Sequence, residues 1–226
     1  PIKVNSVSSV ADEYLPLITP DNDWLFFTRK TIKQSRVKTS YVESQTKEYL
    51  ERFSRAKRTG DSFETGEPMP FPFNEFDSYN YGGATITIDN KIIYLTICKP
   101  GKAGYINCDI YSSSYIFSHD SNSNTPYWRW TELKNLGSNI NTEDGWEGQP
   151  SISADGNSLY FGSARADSKG IDIFISEKDS SGEWKPAKNL GSPVNTEYND
   201  KSPFIHSDSQ TLYFSSQGHL GLGHQA

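Results

Sequence analysis

The chain has 226 residues, 34% of them apolar and 13% aromatic, with a formal net charge of −6. It contains no run of 18 or more apolar residues, which excludes a helical membrane span within it. The low apolar share and plentiful aromatics argue for several small cores rather than one large one, and the acidic balance argues against a nucleic-acid partner. The charge is uneven: residues 29–60 hold ten Lys or Arg against three Glu, a net of +7, which leaves −13 for the rest.

The first predicted elements follow Val4-Asn5-Ser6. Tyr14 to Asp21 and Trp24 to Thr28 read as two strands around an Asp turn, a hairpin over 15–28. A third strand is expected over 50–54, leading to Gly60-Asp61-Ser62-Phe63. The i,i+4 pair Glu48 and Arg52 supports a competing helix over 41–58. Between the second and third strands lies a basic insertion, 31–48. A loop of that length without its own apolar core is expected to be mobile or functional. Lys33, Arg36, Lys38 and Tyr41 are its candidate partner-binding residues. The cations suit an acidic partner, and Tyr41 with Val42 offers an apolar contact. The bland alternative is a solvated loop.

The second set begins at Phe73-Asn74. Ala84 to Asp89 and Ile92 to Thr96 predict a hairpin over 84–97, with Asp89-Asn90 as the turn pair. Cys98 ends its second strand and Cys108 begins a third, Asp109-Ile110-Tyr111-Ser112. In an antiparallel hairpin those ends lie within reach of a disulfide, which implies an oxidising compartment. Two reduced, buried thiols are the alternative. Asp120-Ser121-Asn122-Ser123-Asn124 begins like a calcium loop, but Thr125 and Thr131 stand where Gly and Glu are needed. It reads as a turn-rich insertion.

The third set is Gln149 to Gly156, Ser158 to Ser163 and Ile171 to Ser176, with a hairpin over 150–163. Trp184, Asn189-Leu190-Gly191 and Asn195-Thr196 repeat Trp130, Asn135-Leu136-Gly137 and Asn141-Thr142 at an interval of 54 residues. A fourth set, Ser202 to Ser216, predicts a hairpin over 203–216 and then stops.

The turn Asp therefore recurs at 21, 89, 155 and 208. Four antiparallel strands in roughly 53 residues suit one propeller blade, whose usual length is about 40–50 residues. The expected fold is all-β, a β-propeller of four-stranded antiparallel blades. Blade 1 spans about 6–68 with the 31–48 insertion, blade 2 about 80–136, blade 3 about 148–190, and the first half of blade 4 about 201–216. Three and a half blades do not close a ring of roughly four to eight. Part of a longer propeller is therefore expected, with residues 1–5 able to supply an outer strand of a final blade.

No catalytic, phosphate-binding or metal-binding motif stands out, and no cofactor is expected. The histidines 119, 206, 219 and 224 lack ligand spacing. The repeated turn Asp reads as a hairpin cap, and Asp109 with Asp172 as a strand staple. Trp130 and Trp184 read as packing between blades. Trp128 and Trp146, outside the repeat, are the candidate exposed aromatic contacts. An enzyme reading, as propeller glycosidase or peptidase-associated propeller, needs two inward carboxylates roughly 5–9.5 Å apart in the glycosidase case. Glu143, Asp144 and Glu147 are the nearest candidates.

The pattern Trp-x4-Asn-Leu-Gly-x-x-[Val/Ile]-Asn-Thr, then Pro-x-[Ile/Phe]-x-x-x-Asp-Gly-x-x-Leu-Tyr-Phe-x-Ser, then Asp-Ile-[Tyr/Phe], resembles the PD-type, WD-repeat-like propellers related to TolB in periplasmic proteins of the Bacteroidetes. Asn5-Ser6 with Glu13-Tyr14-Leu15-Pro16, Cys108-Asp109-Ile110-Tyr111, and Phe214 to His219 carry the likeness along the chain. Many such propellers adjoin an outer-membrane-protein-A-like peptidoglycan-binding domain, and one resembles the peptidoglycan-anchored component of the type IX secretion system. The resemblance implies a non-enzymatic scaffold in the periplasm, associated with the outer membrane. It implies outer-membrane or secretion-system proteins as partners, with peptidoglycan reached only through a domain absent here.

Overall fold

The computed structural model describes residue 4 and residues 6–38, 43–101, 105–120 and 123–221, with the backbone alone for 33–38 and 43–47. Every helix or strand among them is a strand; the strands form a five-, a nine- and a two-stranded sheet, and the nine-stranded one divides into two antiparallel sets joined by a single parallel bridge at Trp146↔Cys108, so that four successive antiparallel units are described. The first comprises β1 (Asp12–Ile18), β2 (Trp24–Lys38) and β3 (Glu43–Thr59), with β4 (Ser62–Phe63) and β5 (Glu67–Pro68) both paired to β3. The second comprises β6 (Asn80–Ile86), β7 (Ile92–Pro100) and β8 (Ile106–His119), with β9 (Pro126–Trp130) and β10 (Lys134–Asn135) both paired to β8. The third is β11 (Trp146–Ile152), β12 (Ser158–Ala164), β13 (Asp172–Glu177) and β14 (Lys188–Asn189). The fourth, among the described residues, is β15 (Asp200–Ile205) with β16 (Leu212–Ser216). The four hairpins expected from the sequence are the first two strands of each unit.

Each hairpin is closed by the same turn chemistry. Thr87 Oγ1 donates to Asp89 Oδ1 at 2.6 Å, and the carboxylate also accepts the Lys91 N–H. The Ile92 N–H in turn bonds Thr87 Oγ1. Ser153 with Asp155, and Thr19 with Asp21, repeat the arrangement. Asp208 caps the last hairpin through the N–H groups of Gln210 and Thr211. The recurrent Asp is thus a turn cap, because a carboxylate satisfies the N–H groups that a tight turn leaves unpaired.

Opposite this turn, every first strand is kinked at one residue of positive φ: Leu15 (51°), Gly83 (54°), Gln149 (54°) and Ser202 (54°). The register with the second strand shifts at each of these points, which marks a bulge. The freed amides reach the preceding unit. Gly83 N–H bonds Thr28 Oγ1 (3.1 Å) and Gln149 N–H bonds Thr96 Oγ1 (3.0 Å). At the third junction Gly162 stands where Thr28 and Thr96 stand, so no hydroxyl is available, and Ser202 N–H bonds Gln149 Oε1 (2.9 Å) instead. Two further junction bonds run from Ile152 N–H to Thr85 Oγ1 and from Ile205 N–H to Ser151 Oγ.

The Asn of the repeated segment after the third strand explains its recurrence. Asn141 accepts from Ile110 N–H, donates to Ile110 O and donates to Asn135 Oδ1. Asn195 makes the same three bonds with Ile173 and Asn189, and Asn74 holds both polar groups of Phe53. Asp109 and Asp172 accept from Asn135 and Asn189, as staples.

Two of the three cores among the described residues lie between units, and the third, Val7, Leu25, Phe27 and Ala56 with Phe63, lies within the first. Phe26, Phe53, Met69 and Phe73 of the first unit pack with Tyr81, Ile86, Ile93, Leu95, Ile97 and Tyr111 of the second. Tyr94 and Ile110 of the second pack with Ile140, Ile152, Leu159, Phe161 and Phe174 of the third. Trp130 and Trp184 seal these two seams, on Phe73 and Tyr94 respectively.

Two expectations need correction. The competing helix over 41–58 is absent from the described part of that range, where β3 runs unbroken from Glu43 to Thr59. Nor is the 31–48 insertion an irregular loop. β2 and β3 stay in register from Trp24↔Lys57 to Lys38↔Glu43 without a bulge. Each added pair satisfies backbone donors and acceptors that a loop would leave to water, and Thr31, Ile32, Val37, Thr46 and Tyr49 suit strands.

Candidate interaction face

In each unit the second strand runs from the Asp turn toward the opposite end, where in the first three units it leads on to the third strand. That end carries most of the candidate residues. In the second unit the hairpin finishes at the pair Pro100↔Ile106, whose counterpart in the first unit is Ile32↔Tyr49. The first unit continues for the pairs Lys33↔Glu48 to Lys38↔Glu43, a projecting ribbon about 20 Å long at ~3.3 Å per residue. At its base Ile32 and Tyr49 are exposed, with the Lys30 ammonium 4.8 Å above the Tyr49 ring. Tyr41 and the side chains of Lys33, Arg36 and Lys38 lie outside the described residues.

Cys98 and Cys108 are a directly opposed cross-strand pair and are bonded, which ties β7 to β8 just below this end and fits an oxidising compartment. Cys98 lines a cavity of about 240 Å³ between the first strands of three units, with Tyr14 and Leu15, Gly82 and Gly83, and Trp146 and Gln149. Tyr14 donates to Glu51 there, and burial together with that acceptor pushes the Tyr14 hydroxyl well above its usual value. Trp146, placed by the strand start of β11, also lines a larger cavity of about 620 Å³. The disulfide and Trp146 are therefore brought together with the ribbon at one end.

Trp128 is not. It sits toward the Asp-turn end, in a groove of about 330 Å³ with Asp21, Asn90 and Tyr127. It is the exposed one of the two candidate tryptophans, at 47%, while Trp146 is half-buried; Tyr115 stacks on its ring at 5.3 Å and the Lys91 ammonium lies 4.1 Å from its centre.

The three acidic residues separate by environment. Glu147 is fully buried. It accepts from Thr142 N–H and hydroxyl, Ser163 Oγ and Arg165 Nη2, and so joins the segment entering the third unit to its first strand. Asp200 with Thr196, and Glu13 with Ser9 and Arg29, occupy matching positions. Glu143 and Asp144 instead line the 620 Å³ cavity. Exposed Tyr105 and Ile106, which the sequence reading did not single out, face it as well. No cluster of three or more His, Cys, Asp or Glu able to hold a metal occurs among the described residues.

No family model matches this chain, and no curated protein matches it. Among solved structures, the chain is similar to that of a candidate TolB from Agrobacterium tumefaciens, with 16% identity and a TM-score of 0.43 over 92% of this chain and 70% of that one.

Proposed function

We propose that this chain is part of a longer β-propeller, about three and a half blades of it, acting as a non-enzymatic binding scaffold in the periplasm. It joins proteins of the outer membrane or of a secretion system, of the type IX kind by sequence resemblance, to the peptidoglycan layer through a wall-binding domain outside this chain. The observation that carries the reading is the fourfold repeat of one hairpin, each with an Asp turn and the same bulge, and with the bulge amide reaching back to the preceding unit in the second, third and fourth. Such a body has a rigid set of loop ends, and fold alone does not say what they grip. The ribbon supplies the grip: it projects from one end only, and it is basic where the rest of the chain is acidic.

The test is binding of the partner recovered from cell envelopes to the wild-type chain and to Lys33→Gln/Arg36→Gln/Lys38→Gln. Neutral replacements are needed because Lys33 and Lys38 stand opposite Glu48 and Glu43, and Glu at those positions would oppose like charges across the ladder. At low salt the variant should bind about tenfold more weakly with its melting temperature unchanged. Equal binding would show that the ribbon is only a solvated projection.

A further inference from the structure

The 620 Å³ cavity at the ribbon end is within the size range of small-molecule sites and has an unusual floor. Gly148 and Gly162 are directly opposed on β11 and β12. A Cβ at Gly148 would lie 3.1 Å from Trp146 Cζ2, and one at Gly162 would lie 3.3 Å from Cζ3. Neither glycine has a positive φ, so neither is needed for backbone freedom. What both supply is room for the six-membered ring of Trp146 to lie along the sheet. No second ring or cation is paired with the Trp146 indole among the described residues, in contrast to Trp128. Across the cavity stands Tyr105, 78% exposed.

The polar lining is mixed. Glu143 and Asp144 are acceptors, and Asn107 is both donor and acceptor. Lys99 borders the cavity, but its ammonium donates to the Tyr111 hydroxyl and lies over the Tyr111 and Tyr79 rings, at 4.7 and 5.4 Å, neither of which lines it. An anion would meet two carboxylates. A ligand whose groups both donate and accept, and which has an apolar face to lay on an indole, matches this lining. From this geometry we infer that the cavity is a saccharide-binding subsite, in which a pyranose ring stacks on Trp146, is flanked by Tyr105, and has its hydroxyls read by Glu143, Asp144 and Asn107. The inference does not rest on the protein-docking role of the ribbon.

The experiment is calorimetric and tryptophan-fluorescence titration of the oxidised chain with three neutral tetrasaccharides: β-1,4-linked N-acetylglucosamine, β-1,4-linked glucose and α-1,4-linked glucose. A tetra-arginine peptide is run beside them. At least one tetrasaccharide should bind and shift the emission. Trp146→Ala should weaken it about tenfold or more, Tyr105→Ala by a smaller factor, and Trp128→Ala not at all. Tyr105→Ala and Glu143→Gln keep the test decisive should Trp146→Ala fail to fold, since Glu143 lies on a connecting loop and Tyr105 is exposed. Binding that survives both of these changes, no binding of any tetrasaccharide, or binding of tetra-arginine alone would overturn the assignment.

Discussion

Asn141 shows how a single side chain holds a strand that the backbone ladder leaves short-handed. β10 is only two residues long, so the buried polar groups of Ile110 find their partners in the Asn141 amide. Asn141→Ala leaves the Ile110 N–H unpaired, while the Ile110 carbonyl keeps the Leu136 N–H, and about 1–3 kcal/mol of stability should be lost in urea denaturation. Glu147→Gln should cost more, about 3–5 kcal/mol, because it leaves Arg165 largely buried without its counter-charge. Any activity lost in that variant would therefore report unfolding before chemistry. The turn carboxylates set the pH response. Asp89 is held below the ordinary carboxylate range by the Thr87 hydroxyl and then, against some burial, by the Lys91 N–H; Asp155 is held low by Ser153 and the Asn157 N–H. Their folded pKa is depressed, so their contribution is complete above the unfolded value near 4 and is lost as the pH falls below it. Thermal stability should be flat from neutral pH to about 5 and then drop, less steeply in Asp155→Ala than in wild type.

At the scale of elements, local chemistry decided what could be read in advance. Asp155-Gly156, Asp89-Asn90 and the aromatic runs beside them located all four hairpins, because a turn cap and a half-buried strand leave their marks within a few residues. The bulges were not legible. Gln149 and Ser202 adopt positive φ where their own N–H groups donate to a side chain of the preceding unit, Leu15 takes the same φ, and only Gly83 is a residue type that announces it. The ribbon was hidden for a different reason. Lys33 to Lys38 has no apolar alternation in its sequence to show a period of two. Cys98 and Cys108 were legible as a pair because they bracket a strand boundary, whereas the seating of Trp146 on two glycines emerges only once β11 and β12 are in register. Replacing 33–48 by a two-residue Asn-Gly turn should leave the melting temperature within about 2 °C, since the ribbon lies beyond the ladder that the cores support. Cys98→Ser/Cys108→Ser should be less stable by about 2–3 kcal/mol, the value for closing so short a loop, measured against the oxidised chain in denaturant.

Over the whole molecule the four units are bound by seams of aromatic and aliphatic side chains and by amides that cross to the preceding unit. Stability is thereby spread along the chain, and the loop ends are left to vary. The two ends have diverged accordingly. One presents repeated Asp turns, nearly alike in every unit. The other holds the ribbon of the first unit, the disulfide-tied hairpin of the second and the Trp146 cavity between the second and third. The central claim is that binding belongs to this second end. Site-specific photo-crosslinking in cell envelopes tests it most directly, with the photoreactive residue at position 36 or 106 on the ribbon end and at 156 or 209 in the Asp turns. The account predicts one common adduct from 36 and 106 and none from 156 and 209. Adducts of the same partner from the turn positions, with none from the ribbon end, would contradict it.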